Sequence, residues 1–148
     1  MGWVEEQFER RVQSPERQHE SVAETRFELL VERKWTEVKQ GLETDAEEYR
    51  RLGGDAEFTQ VSENQWRITN RSAGVSALIT VDLSAHTIQY EYESQDSNTA
   101  VPEGGIFTIR REGPNRAELY SSDQAVSAEQ SRRMMLEPLL FPNPPRLM

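Results

Sequence analysis

The sequence contains no cysteine and no long apolar run. The first absence excludes disulfides, thiolate metal ligands and cysteine nucleophiles. The second leaves no stretch near the roughly 20 apolar residues that a membrane-spanning helix needs. The first six residues also lack the basic start and the apolar core of a signal peptide. We therefore expect a cytoplasmic protein in a reducing compartment, without a membrane partner.

Positive charge is also scarce. The chain has 17 Lys and Arg residues against 26 Asp and Glu residues, which gives a net charge of −9. Proteins that bind nucleic acids neutralise phosphates with Lys and Arg, and anionic membranes attract the same cations. We therefore expect no nucleic-acid partner, whereas a basic protein partner stays open.

The spacings of catalytic and metal-binding motifs are missing. His19 and His86 are the only histidines, and neither belongs to an H-x-x-x-H or H-E-x-x-H pattern. The two Gly-Gly pairs match no phosphate-binding loop. Glu91 and Glu93 alternate with tyrosines, which is typical of a solvated sheet face. These absences predict no catalytic residue, no metal and no cofactor, and they favour a protein that is not an enzyme.

Length and composition indicate one domain with a thin core. The chain has 148 residues, of which 35% are hydrophobic and 29% are charged. We predict a single α+β domain over residues 1–148. It would consist of a helical segment at 1–52, an antiparallel sheet at 56–123, and a C-terminal helix with a proline-rich tail at 127–148.

The first third of the chain has the apolar periodicity of helices. We predict a short amphipathic helix over 3–13 and a long helix from about Pro15 to Gln40. Gly41 is expected to loosen or end the long helix, and Thr44 to cap a last segment that runs to Leu52. The apolar residues of the short helix are Trp3, Val4, Phe8 and Val12. Those of the long helix and its continuation are Val22, Ala23, Phe27, Leu30, Val31, Trp35, Val38 and Leu42.

The middle of the chain alternates apolar and polar residues between turn signals, which predicts β-hairpins. Three hairpins are expected, at Ala56–Asn70, Val75–Ser94 and Ile106–Asp123. Consecutive strands with short turns usually pair with their neighbours, so we predict a six-stranded antiparallel meander. Its apolar face, with Trp66 and Ile68 pointing inward, should be covered by the long helix. The opposite face should carry Arg67, Thr69, Ser76, Leu78, Thr80, Asp82, Gln89, Glu91 and Glu93.

The last 22 residues are predicted to begin with a short helix, capped by Ser127 and running from Ala128 to about Leu136. Pro138 is expected to stop this helix, because proline lacks the N–H that a helix interior needs. We expect no helix from Leu139 onward.

Both ends of the chain are too apolar to remain in water. The candidate interface residues are Trp3, Phe8, Met134, Met135, Leu140 and Phe141. These side chains either fold back on their own domain or are buried against a second copy, since a thin core and spare apolar ends make two-fold dimerisation reasonable. The sequence leaves both readings open.

A pocket between the sheet and its covering helix is the second candidate site. The residues that would line it or bind a ligand in it are Trp35, Trp66, Tyr90, Tyr92 and Arg110. Small-molecule pockets are mostly apolar, with a few polar groups that orient the ligand.

The function cannot be read directly from these patterns. The leading hypothesis is a non-enzymatic, acidic, intracellular protein of bacterial origin that acts through protein contact or as a homodimer. The alternatives are a small-molecule-binding domain or simple enzyme that uses the pocket, and an assembly or secretion chaperone. Composition alone supports the chaperone.

Overall fold

A computed structural model describes residues 15–95 and 100–142, with side chains from Arg26 onward. The elements are α1 (Pro15–Arg51), β1 (Ala56–Ser62), β2 (Gln65–Asn70), β3 (Val75–Asp82), β4 (Thr87–Ser94), β5 (Gly105–Arg111), β6 (Ala117–Ser121), β7 (Gln124–Val126) and α2 (Ala128–Leu140). This arrangement confirms the predicted α+β class, with a helix first, then an antiparallel sheet and a short C-terminal helix. The short helix predicted over 3–13 lies outside the described residues.

Helix α1 is one continuous element of 37 residues, about 55 Å long. The predicted break at Gly41 and cap at Thr44 are wrong. The Thr44 hydroxyl donates to the carbonyl oxygen of Gln40 at 2.9 Å, as a threonine in a helix interior does. The helix ends at Arg51, one residue before the predicted end at Leu52, and Gly53 with a φ of +101° takes the chain out of the helix.

One face of α1 is buried. Val31, Trp35, Val38 and Leu42 are among the core residues, as the apolar periodicity predicts, and Ala46 extends the stripe by one more turn. Burying each of the large side chains contributes about 1.5–3 kcal/mol. Packing therefore stabilises α1 more than its local propensity does.

The sheet is an antiparallel meander in which neighbouring strands follow chain order from β1 to β7. The meander is confirmed, but the predicted count of six strands is wrong because the described residues form seven. After β6 the chain turns at Ser122, which has a φ of +55°, and Val126 pairs with Leu119. Strand β7 has only three residues, which are too few to show an alternating pattern, so no periodicity predicts it.

The register aligns large apolar side chains into rows on one face. Trp66, Ile79 and Tyr90 are partners across β2, β3 and β4, and all three are buried. The indole ring of Trp35 lies 5.0 Å from that of Trp66, which packs α1 against this face of the sheet. Trp66 and Ile68 therefore point inward as predicted.

The other face of the sheet carries mostly polar side chains. Thr69 and Ser76 share a hydrogen bond of 2.9 Å between their hydroxyls, and Arg67 lies 3.7 Å from Glu93. The Thr69–Ser76 pair lies directly across β2 and β3, and such a cross-strand pair contributes a few tenths of a kcal/mol to about 1 kcal/mol. This face therefore supports the register without adding to the apolar core.

Helix α2 begins as predicted but ends later than predicted. The hydroxyl of Ser127 accepts a hydrogen bond from the backbone N–H of Gln130 at 3.0 Å, and the side-chain oxygen of Gln130 accepts one from the N–H of Ser127 at 2.8 Å. This is a complete capping box. The helix then continues through Pro138 to Leu140, so the predicted stop was wrong.

Side chains from other elements hold the last turn of α2. The Asn70 amide donates to the carbonyl of Leu139 at 3.0 Å, and the Tyr49 hydroxyl donates to the carbonyl of Leu140 at 3.1 Å. These carbonyls lie at a helix end, where no intrahelical donor reaches them. Tertiary hydrogen bonds therefore offset the cost of the proline, which the local sequence could not reveal.

Candidate binding surface at the C-terminal helix

Four large apolar side chains near the end of α2 face solvent. Phe141 is 66% exposed, Leu52 81%, Val101 39% and Met134 38%. Scattered apolar residues are normal on a protein surface. These four, however, border two neighbouring grooves, and a contiguous apolar surface often marks a contact site.

The first groove runs along α2 and has a volume of about 1070 Å³. The turn between β2 and β3 and residues 100–102 form its other walls. Its apolar lining consists of Ala73, Val75, Ala100, Val101, Pro102, Val126, Met134, Pro138, Leu139, Phe141 and Pro142. Because Pro138 has no N–H, the carbonyl oxygen of Met134 lacks its usual helical donor. Three polar side chains, from Gln130, Arg133 and Glu137, complete the lining of the groove.

The second groove lies between the last turns of α1 and α2 and has a volume of about 490 Å³. Its apolar lining consists of Tyr49, Leu52, Leu136, Leu140 and Phe141. The rings of Tyr49 and Phe141 meet edge to face with their centroids 5.5 Å apart. Phe141 therefore lines both grooves and joins them into one surface.

The rim of the second groove is charged. It consists of four carboxylates and two guanidinium groups, from Asp45, Glu48, Glu129, Glu137, Arg132 and Arg133. Arg132 lies 3.0 Å from Asp45, and Arg133 lies 2.7 Å from Glu137. After these two pairs, Glu48 and Glu129 give the rim a net negative charge.

The structure separates the predicted interface residues into two groups. Met134 and Phe141 are exposed, whereas Met135 and Leu140 are buried in the core of their own chain. The two buried residues pack on the domain itself, which was one of the two readings. Trp3 and Phe8 lie outside the described residues.

Four of the five predicted ligand-binding residues come together, but in the core. Trp35, Trp66, Tyr90 and Tyr92 are each at most 8% exposed. The ring of Tyr90 stacks on Phe107 with a centroid distance of 5.3 Å. These rings therefore pack on their neighbours.

Arg110, the fifth predicted ligand-binding residue, lies on the other face of the sheet. Its guanidinium group lies 4.5 Å from the ring of Tyr120 and 3.4 Å from Asp123. The structure therefore does not bring Arg110 to the buried tyrosines.

The buried tyrosines are neutral at ordinary pH. Burial raises the pKa of Tyr92, and the neighbouring Tyr90 raises it further; burial also raises the pKa of Tyr90. The Tyr92 hydroxyl donates to the carbonyl of Met135 at 2.5 Å. Tyr92 therefore acts as a hydrogen-bond donor that holds α2 on the sheet, with no role in proton transfer near neutral pH.

The side chains of His86 and Asp82 make contacts that stabilise the fold. His86 occupies a turn with a φ of +59°, and its ring meets Phe27 edge to face at 4.6 Å. Asp82 accepts a hydrogen bond from the backbone N–H of Ala85 at 3.0 Å in the same turn. Among the described side chains, no three His, Asp or Glu groups are placed to hold a metal ion. None of the described helices combines the length and the apolar content needed to cross a bilayer.

Leu52 and Val101 are parts of this surface that sequence reasoning missed. Each is a lone apolar residue outside a regular element, so no periodicity marks it. Comparison with known proteins found no matching family model, no similar curated protein and no similar solved structure.

Proposed function

We propose that this chain is a non-enzymatic protein-interaction domain that self-associates through the surface around the end of α2. The observation that carries the proposal is the position of Phe141, which is 66% exposed between two mainly apolar grooves. Covering a phenyl ring of this kind contributes about 1.5–3 kcal/mol. The exposed Met134 adds a flexible side chain that adapts to a partner.

A second copy is the simplest partner. Most homo-oligomers are two-fold dimers, in which the same patch of each copy contacts its equivalent. The net charge of −9 favours a protein partner over a nucleic acid. The absence of cysteine fits a cytoplasmic, bacterial setting, which we include in the proposal.

The test is the oligomeric state of the full chain and of two serine variants, measured by sedimentation equilibrium. Phe141→Ser should convert the dimer to monomer without loss of folding, since the side chain is mainly exposed. The matched control is Val61→Ser, which changes a residue that is 45% exposed on β1. A dimer unaffected by Phe141→Ser, or a wild-type chain that is monomeric throughout, would refute the proposal.

The alternative of a small-molecule-binding domain is favoured by the first groove. Its volume of about 1070 Å³ is at the upper end of ligand pockets. Its wall also carries the polar side chains of Gln130 and Arg133. The test is the binding of an apolar fluorescent probe to the monomeric chain. Binding that Met134→Glu abolishes would support this alternative over self-association.

A further inference from the structure

We propose that the second groove, between α1 and α2, is filled by residues 3–12 of a second copy of the chain. This inference rests on the proposed self-association and names the segment that each copy exchanges. The groove combines an apolar lining with charged residues, and an amphipathic helix typically lays its apolar face into an apolar groove.

The segment has the matching apolar pattern. Val4, Phe8 and Val12 recur every four residues, with Trp3 next to the first of them. On a helix this spacing places Val4, Phe8 and Val12 along one stripe. Trp is among the residues that most often dominate binding energy at an interface, and Trp3 stands directly before the first residue of the stripe.

The length of α1 prevents the segment from reaching the groove of its own chain. The groove begins at Asp45, 30 residues after Pro15 at the start of α1, which is about 45 Å along the helix axis. Even a fully extended chain carries Phe8 only about 25 Å from Pro15. Residues 3–12 can therefore fill the groove only of another copy.

A two-fold axis across α1 provides the required geometry. Two antiparallel α1 helices place the first turn of one copy beside the last turn of the other. Each copy then donates one segment and receives one, so the arrangement closes as a dimer with two equivalent sites.

Residues 3–12 carry three Glu and two Arg, so charge orients the segment and adds no net attraction to a negative rim. Arg11 borders the apolar stripe on one side and Glu5 borders it on the other. The groove rim carries Glu48 and Glu129, which form no ion pair within the described part of the chain. Arg11 therefore meets an opposite charge at the rim, which helps to fix the direction of the segment.

The experiment uses the full chain and a labelled synthetic peptide of residues 1–14. The double variant Trp3→Ser/Phe8→Ser should be a folded monomer, as judged by circular dichroism and sedimentation. The peptide should bind this variant in a fluorescence anisotropy titration, and a peptide carrying the same two serines should not. Adding Leu52→Asp to the variant should weaken peptide binding at least about tenfold, because Leu52 lines the groove.

Leu83→Asp is the matched control, since Leu83 is 38% exposed in the turn between β3 and β4; it should leave binding unchanged. If Trp3→Ser/Phe8→Ser stays dimeric while Phe141→Ser is monomeric, the proposal of self-association holds. The proposal that residues 3–12 are exchanged between copies is then refuted. Peptide binding that Leu52→Asp does not weaken also refutes it. A monomeric wild-type chain refutes both proposals together.

Discussion

Single residues at the contact between α1 and the sheet carry much of the packing. The Trp66 indole is 7% exposed. It lies 5.0 Å from Trp35, with the Lys39 ammonium 5.6 Å from its ring centroid. Large side chains in such positions leave a cavity when truncated, because the surroundings relax only in part.

Trp66→Ala should therefore lower the free energy of unfolding by about 3–5 kcal/mol. The measurement is urea denaturation followed by circular dichroism. Val61→Ala, at an exposed position on the neighbouring strand, should change stability by no more than about 0.5 kcal/mol. A loss below about 1 kcal/mol for Trp66→Ala would mean that this indole is peripheral to the core.

The Tyr92 hydroxyl links the sheet to α2. Tyr92→Phe should cost about 1 kcal/mol, the net value of one hydrogen bond. Tyr90→Phe is the matched control, because Tyr90 lies two residues away on β4 and its hydroxyl has no hydrogen-bond partner among the described residues. Equal losses in the two variants would show that the bond to Met135 contributes nothing.

Stability should also fall at alkaline pH. Burial raises the pKa of Tyr92 above its ordinary value, so the unfolded chain releases this proton at a lower pH than the folded chain does. Above the unfolded pKa of about 10, the unfolded state holds fewer protons and the free energy of unfolding decreases with pH. Denaturation between pH 9 and 11 (roughly the range that brackets this pKa) should give a shallower slope for Tyr92→Phe, and an unchanged slope would contradict the assignment.

At the scale of residues, the apolar periodicity of strands and helices correctly predicted which side chains are buried. Alternation placed Trp66 and Ile68 inward, and helical spacing identified Val31 and Leu42 as buried. It could not decide whether Leu140 faced the core or a partner. That outcome depends on how α2 docks, and the docking is set by residues far away in the sequence.

At the scale of elements, the two helices meet at a glycine. A methyl group added at Gly41 would lie 2.4 Å from the side chain of Arg132, which crosses α1 there to reach Asp45. Gly41 is thus a packing residue within a continuous helix. From the sequence it was interpreted as a helix breaker, because the long-range partner cannot be seen locally.

A double-mutant cycle tests this contact. In the Arg132→Ala background, Gly41→Ala should stabilise the protein by about 1 kcal/mol, the ordinary gain of alanine over glycine in a helix. In the wild-type background that gain should be lost, because the methyl group displaces Arg132 from Asp45. Equal effects in both backgrounds, measured by urea denaturation, would show that Gly41 and Arg132 are not coupled.

Strand β7 and the last turn of α2 were not predicted, for different physical reasons. Strand β7 is too short to show alternation, and it forms because a turn at Ser122 returns the chain along β6. Helix α2 passes through Pro138 because Asn70 and Tyr49 hydrogen-bond its last carbonyls. Only in α2 do tertiary contacts override a local rule.

At the scale of the whole molecule, net charge opposes the proposed dimer. Each copy carries a charge of −9, so two copies repel each other at long range. Raising ionic strength from about 0.01 M to about 0.1 M shortens the screening length from about 30 Å to about 10 Å. Dimerisation should therefore strengthen severalfold with salt in sedimentation experiments, and weakening would indicate a contact dominated by opposite charges.

The most direct test of the account is sedimentation equilibrium of the full-length chain from low to high micromolar concentration. We expect a reversible monomer–dimer equilibrium that Phe141→Ser abolishes and Val61→Ser preserves. A single monomeric species across the whole range would contradict it, because the apolar grooves beside Phe141 would then remain open to water.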